Sequence, residues 1–245
     1  MASASVAGLV GVGALLHAGP GLPGVYPLGM YVVPALHGRG RSGHVALTFD
    51  DGPDPASTPK FLAELDRLDW RATFFMLGTM ARKAPGLVAE VVAAGHEIAV
   101  HGDEHRNMLR RSPWSARADI QRCRDTLAEL AGREPVFFRP PFGTLAFGAF
   151  WGARRAGLTT VLWTNWGRDW RDESSPEIVT EELLARDIDG GTLLLHDSDC
   201  QSDPGSWRNA LGSLPLLAEA FAARDLTVGP LRDHGLRGSR ITSDV

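Results

Sequence analysis

Cysteine is nearly absent: the chain of 245 residues holds two, Cys123 and Cys200. Two cysteines so far apart in sequence cannot form the multi-bridge framework of a small secreted scaffold, and two free thiols are the expectation. Charge is missing from the amino terminus, where no Asp, Glu, Lys or Arg precedes Arg39. The apolar run over residues 2–16 is still too short for a membrane-spanning helix, which needs about 20 residues. It also lacks the basic residues that begin a signal peptide. A second apolar stretch, 25–36, either pairs with the first as a membrane-contacting hairpin or covers the base of the fold, and Arg39 and Arg41 follow it. No run of Lys or Arg and no nucleotide-binding glycine loop occurs, and a net charge of −4 offers no basic face to nucleic acid.

What is present is a regular alternation. Apolar strand-like runs recur at residues 44–49, 72–77, 97–100, 136–139, 159–163, 192–195 and 226–228. Helical patterns fall between them at 56–68, 86–94, 113–131, 176–187 and 206–224, several opening with Pro or Ser. Strands alternating with helices imply a parallel sheet, which either closes toward a barrel or stays open and doubly wound. With 44% hydrophobic and 22% charged residues, the length suits a single α/β domain.

Four of these strands run into polar clusters. The first ends in Thr48-Phe49-Asp50-Asp51-Gly52-Pro53. Adjacent carboxylates repel, and a cation held by one of them is a reason to keep both; a solvated Asp-Gly-Pro turn is the plainer alternative. The third ends in His101-Gly102-Asp103-Glu104-His105. Histidines four apart share one face of a helical turn, and two histidines with a carboxylate leave a zinc ion one open position. The fourth delivers Arg139 into Pro140-Pro141-Phe142-Gly143, where a guanidinium can hold a carboxylate or form a structural ion pair. A later strand ends in His196, a side chain suited to proton transfer near neutrality. Before it, Trp163-Thr164-Asn165-Trp166-Gly167-Arg168-Asp169-Trp170 sets a carboxylate among three tryptophans. Such rings suit sugar binding, although tryptophans are more often core.

In this order, the segments TFDDGP, HGDEH, RPPFG, WGRDW and LLLHD resemble the five motifs of the polysaccharide deacetylases of the NodB-homology type, across residues 44–232. The resemblance implies a distorted seven-stranded (β/α) barrel, TIM-barrel-like and single-domain, between an apolar segment at 1–43 and a tail at 233–245. It implies Asp50 as general base, Asp51, His101 and His105 as ligands of a divalent metal, usually zinc, with cobalt or another ion as alternatives, and Arg139 as the group orienting Asp50. It further implies His196 as general acid tuned by Asp169, Trp170 and Leu194 as the lining for an acetyl methyl, and the Phe142 backbone amide as an oxyanion donor.

Two positions depart from that pattern: Gly102, where the family commonly has Ser or Thr, and Phe142, where Tyr is frequent. Loss of a hydroxyl at 102 leaves the ligand loop loose unless Asp103 and Glu104 brace it. Substrate choice is expected in the loop after His196, which gathers Asp197, Ser198, Asp199, Cys200, Asp203, Trp207 and Arg208, with Trp207 the candidate to stack on sugar. The expected substrate is an acetylated polysaccharide or oligosaccharide, chitin-like or peptidoglycan, and the expected location is the cell envelope, by secretion or membrane association. An O-deacetylase acting on a polymer such as acetylated xylan, and a carbohydrate-binding protein without catalysis, are the alternatives.

Overall fold

The computed structural model describes His17 and residues 31–236. The apolar run 2–16, the first half of the stretch 25–36 and the last nine residues lie outside the described residues, and with them the expectation of membrane contact. Among the described residues no helix is long and apolar enough to cross a membrane.

Seven strands, β1 (His44–Asp50), β2 (Thr73–Met76), β3 (Glu97–Val100), β4 (Phe137–Phe138), β5 (Thr159–Thr160), β6 (Asn165–Trp166) and β7 (Thr192–His196), form a curled sheet in the order β5-β4-β3-β2-β1-β7-β6. Every pairing is parallel, and β8 (Thr227–Gly229) runs beside the first half of β1. No pairing joins β5 to β6, so the sheet stops short of closure. Helices α1 (Thr58–Arg67), α2 (Gly78–Lys83), α3 (Pro85–Ala93), α4 (Pro113–Ala131), α5 (Phe147–Arg155), α6 (Pro176–Leu184) and α7 (Trp207–Ala222) complete this barrel-like α/β fold.

All seven residues of β1 are buried, as in a strand covered on both faces. Alternation sorts them. Val45, Leu47 and Phe49 join Phe61 and Leu65 of α1 and Phe74 of β2 in the main core between sheet and helices. Ala46 belongs to a smaller inner cluster with Phe75, Ala99, Phe137 and Val161. The period of two carries the same inner face on through Thr48 to Asp50, placing a carboxylate at its carboxyl end.

Helix α4 matches the predicted bounds because its signals are strong: Ser112 Oγ accepts from the Ser115 N–H, Pro113 opens the helix, and Gly132 ends it at φ 64°. Three elements differ from expectation. Helices α2 and α5 answer to no predicted pattern, and β6 falls in the tryptophan-rich segment, where no strand is predicted. In α5, Gly148 and Gly152 weaken helix propensity, yet they let it lie against α4; a Cβ at Gly148 would stand 2.5 Å from Pro113 Cα, and one at Gly152 2.9 Å from Arg117 Cα. Strand β6 is two residues long, too short to show a period. From Leu36 the chain closes the amino-terminal end of the sheet: the Leu162 N–H donates to the Leu36 carbonyl (2.6 Å), Gly40 to Gly190 (2.9 Å) and Arg41 to His234 (2.9 Å).

Candidate active site

Asp50 ends β1 beneath a fully buried arginine. Arg139 Nη1 donates to Asp50 Oδ1 (2.6 Å) and to Thr48 Oγ1 (2.8 Å), while Nη2 donates to the Leu162 carbonyl (2.8 Å) and Nε to that of Val161 (3.3 Å). Its guanidinium also lies 4.0 Å from the Phe75 ring centre. A buried charge with its donors satisfied in this way is fixed in place. Burial pushes the Asp50 carboxyl above the usual carboxylate range, and Arg139 pulls against that shift.

At Asp51 the backbone enters the left-handed region, φ 80°. The chain turns there, so the second carboxylate faces the same site as the first instead of the opposite side of the strand. Asp51 Oδ1 lies 3.4 Å from His101 Nε2 and 3.4 Å from His105 Nε2. Asp51, His101 and His105 are the one group among the described residues whose ligand atoms converge closely enough to hold a metal ion, all within 4.8 Å of one another. Three observations fit a cation. Asp51 Oδ1 is buried and has no hydrogen-bond partner among the described residues. Burial holds both histidines neutral, down to about 3 for each. His101 Nδ1 donates to the Arg139 carbonyl (2.9 Å), which leaves Nε2 with its lone pair toward Asp51.

The two histidines do not share a helical turn, as their spacing predicts; residues 101–107 form a loop. Gly102 sits at φ 96°, a conformation costly for any other residue. The brace comes from the main chain and from α4. The Asp103 N–H donates to Asp119 Oδ2 (2.9 Å), and the Gly78 and Thr79 N–H groups donate to the Gly102 and Asp103 carbonyls. Asp103 itself takes Arg82 Nη1 (2.7 Å) and Arg122 Nε (3.3 Å), and Arg111 Nη2 lies 2.9 Å from Asp119 Oδ1. Glu104 instead turns to Arg106 (2.9 Å) and Arg111 (3.1 Å).

His196, at the end of β7, is the register partner of Asp50. Asp169 accepts from its backbone N–H (2.7 Å) and from Nδ1 (3.0 Å). Burial disfavours the imidazolium, but Asp169, Asp51 and Asp50 together outweigh it and push His196 up to about 10. With Nδ1 engaged, Nε2 is the nitrogen left for chemistry. The Trp170 ring stands edge-on to the imidazole, centroids 5.5 Å apart.

These side chains surround a cavity of about 310 Å³ lined by Asp50, Asp51, His101, His105, Phe142, Trp170, Leu194 and His196. Phe142 is left-handed (φ 59°), its ring 60% exposed and 4.3 Å from that of His105. Gly143 follows where a Cβ would meet the Trp163 ring at 2.5 Å. Trp207 corrects the expectation of a sugar platform: it is 7% exposed, packed in the main core at the start of α7, with Lys60 Nζ 4.9 Å from its ring centre. The loop after His196 does reach the cavity, through Gln201 and Ser202, residues the sequence reading passed over, as it passed over Trp163 in the lining. Asp197 turns inward, accepting from the Thr58 hydroxyl beside Gly52. Both cysteines are free; Cys200 Sγ lies 3.6 Å from the Asp51 carbonyl.

A parallel α/β sheet that gathers carboxylates and histidines at the carboxyl ends of its strands has the layout of a strand-end enzyme. The model of the polysaccharide deacetylase family matches residues 37–161, and the chain belongs to that family. It is 34% identical over 164 residues to a peptidoglycan-N-acetylglucosamine deacetylase of Bacillus cereus, covering 67% of this chain and 59% of that one, so it spans less than two thirds of that relative. To a chitooligosaccharide deacetylase of Bradyrhizobium it is 31% identical, covering 76% of this chain and 88% of the other. A family 4 carbohydrate esterase from Streptomyces lividans, solved with acetate, superposes with a TM-score of 0.68 at 31% identity, covering 76% and 92% of the two chains.

Proposed function

We propose that the protein is a metal-dependent N-deacetylase that releases acetate from N-acetylated amino sugars of a polysaccharide, chitin-like or peptidoglycan. The observation that carries this reading is the pairing of Asp50 with His196 across β1 and β7, at one cavity with Asp51, His101 and His105. A carboxylate and a cationic imidazole in register supply base and acid to the same bond. The relatives named for deacetylation of peptidoglycan and chitooligosaccharides support the substrate class.

Asp51, His101 and His105 are the residues that would hold a divalent ion, zinc being the natural choice for two imidazoles and a carboxylate. Such an ion supplies Lewis acidity, polarising an acetyl carbonyl and making water easier to deprotonate. Asp50, held by Arg139, accepts the proton of the attacking water at its carboxylate. The Phe142 amide donates to the oxyanion that develops on the acetyl oxygen as water adds to the carbonyl carbon, an effect worth roughly 3–4 kcal/mol in comparable hydrolases. His196, protonated at Nε2 and steadied at Nδ1 by Asp169, gives its proton to the departing amine. Trp170 and Leu194 line the space for the acetyl methyl.

The test is acetate release from N-acetylglucosamine oligomers by metal-stripped protein, with zinc or cobalt restored, beside Asp50→Asn. Release that needs metal and falls at least 100-fold in the variant is expected, the lower bound for loss of a general base. No release from N-acetyl oligomers by metal-loaded protein would overturn the reading, and release from acetylated xylan alone would move it to an O-acetyl bond.

A further inference from the structure

Asp197 follows His196 directly, yet it takes no place in the lining of the cavity. The residue is 1% exposed, and its carboxylate lies against Gly52, where a Cβ would stand 2.3 Å from Oδ2 and 2.6 Å from Oδ1. The Thr58 hydroxyl donates to Oδ2 (2.5 Å) and accepts from the Asp54 N–H (2.8 Å). Two main-chain groups make the same join. The Asp197 N–H donates to the Asp50 carbonyl (3.3 Å), and the Ser57 hydroxyl donates to the Asp197 carbonyl (2.5 Å). Ser57 and Thr58 are both fully buried. Oδ1, by contrast, is buried with no hydrogen-bond partner among the described residues.

This arrangement answers a demand made one residue earlier in the turn. Asp51 stands at φ 80°, a region that a residue with a side chain occupies only when its surroundings hold it there. The residue after it is gripped: the Gly52 carbonyl accepts from the Leu77 N–H (3.0 Å), and the Gly52 α-carbon rests against Asp197. We infer that Asp197 is a positioning residue for the metal site, whose carboxylate, through Thr58 and Gly52, fixes the turn that aims Asp51 at His101 and His105. The inference rests on the metal site of the deacetylase reading and deepens it. A group that orients a ligand changes the affinity for the ion without touching the ion. Asp197 also continues the strand that carries His196, so one residue sets the ligand's turn and the acid's strand in a common frame. Its place in the sequence, among the polar residues expected to choose substrate, belongs instead to the support of the site.

The experiment measures zinc affinity of the full chain by competition with a chromophoric chelator, and the visible spectrum of the cobalt-loaded protein. The variants are Asp197→Ala, Asp197→Asn, Thr58→Val and Thr58→Ser. Asp197→Ala is expected to bind zinc about 10- to 100-fold more weakly than the wild type, with the cobalt bands displaced as the ligand geometry loosens. Asp197→Asn should keep most of the affinity, because its amide oxygen can take the Thr58 bond while its nitrogen fills the unpartnered place of Oδ1. Thr58→Val should fall toward Asp197→Ala, and Thr58→Ser, which keeps the hydroxyl, should stay near the wild type. If Asp197→Ala does not fold, the two Thr58 variants decide. Wild-type affinity and an unmoved cobalt spectrum in Asp197→Ala, or in Thr58→Val where the alanine variant does not fold, would overturn the positioning role. Equal losses in the two Asp197 variants, or in the two Thr58 variants, would mark a general loosening of the fold and overturn it as well. Affinities in the expected order, with no acetate released by the zinc-loaded wild type, would sink the deacetylase reading and leave the positioning role standing.

Discussion

Asp169 shows how one side chain sets the working range of another. It accepts from both the Nδ1 and the backbone N–H of His196, and its charge is the chief reason that imidazole stays protonated to about pH 10 in spite of burial. A general acid works only while it holds its proton, so activity should fall as pH rises through the His196 value. A bound cation would lower that value by repulsion. In Asp169→Asn the supporting charge is gone while the shape remains. The alkaline limb of kcat should move to lower pH by at least one unit, with kcat reduced at neutral pH and binding little changed; a pH–rate profile of both proteins measures this. An unmoved limb would show that His196 is not the acid. At this scale the strand-end residues were readable in the sequence, because Asp50, His101, Arg139 and His196 each follow an apolar run that declares where a strand stops. Trp207 was misjudged: its polar neighbours set it with the loop after His196 although the predicted helix 206–224 already held it, and at the start of α7 its ring turns into the core. Gln201 and Ser202 carried no signal either, since bland polar residues become part of a cavity only through the path of their loop.

The ligand loop is an element held from outside. Gly102 lacks the side chain the family commonly uses there, and Asp119 of α4 grips the following N–H instead, backed by Arg111 and Arg122. A Cβ at Gly102 would approach Asp119 Oδ2 to 3.1 Å and would have to adopt the same positive φ. Gly102→Ser should therefore lose roughly 1–2 kcal/mol of stability instead of restoring a brace, as a urea melt would show. Asp119→Asn should weaken zinc binding about 10- to 100-fold, read by competition with a chromophoric chelator, because it loosens the strut between two ligands. Unchanged affinity would show that the loop holds its form alone. The spacing of His101 and His105 announced a shared ion but suggested a helical turn that the chain does not form. Sequence spacing reports which side chains can meet, and left-handed glycine can bring them together by another route. Helix α5 was hidden for a related reason: the glycines that argue against a helix are the ones that seat it on α4.

In the whole molecule, an ion held by Asp51, His101 and His105 would join β1 to the loop after β3, and its removal should then be felt in global stability. At free metal about 100-fold above its dissociation constant, binding adds roughly 2.7 kcal/mol, or about 5–10 °C in melting temperature for a chain of this size. A chelator should remove that increment, and Asp51→Asn should melt at one temperature with or without metal. The barrel-like fold was readable from the alternation of strands and helices, whereas the order of the strands was not, because pairing partners are chosen by packing across long distances. That order puts the first strand in the middle of the sheet, with β7 as its neighbour, and Thr48 meets Leu193, 145 residues later in the chain. At a synthesis rate of about 5–20 residues per second, one flank of β1 waits roughly 7–30 s for its partner on the ribosome. Throughout that interval a row of free N–H and C=O groups, with apolar side chains above and below, lies open to any passing strand. Asp50 and His196 thus cannot meet until β7 has been made, so until then the emerging chain carries an open strand edge beside an incomplete site.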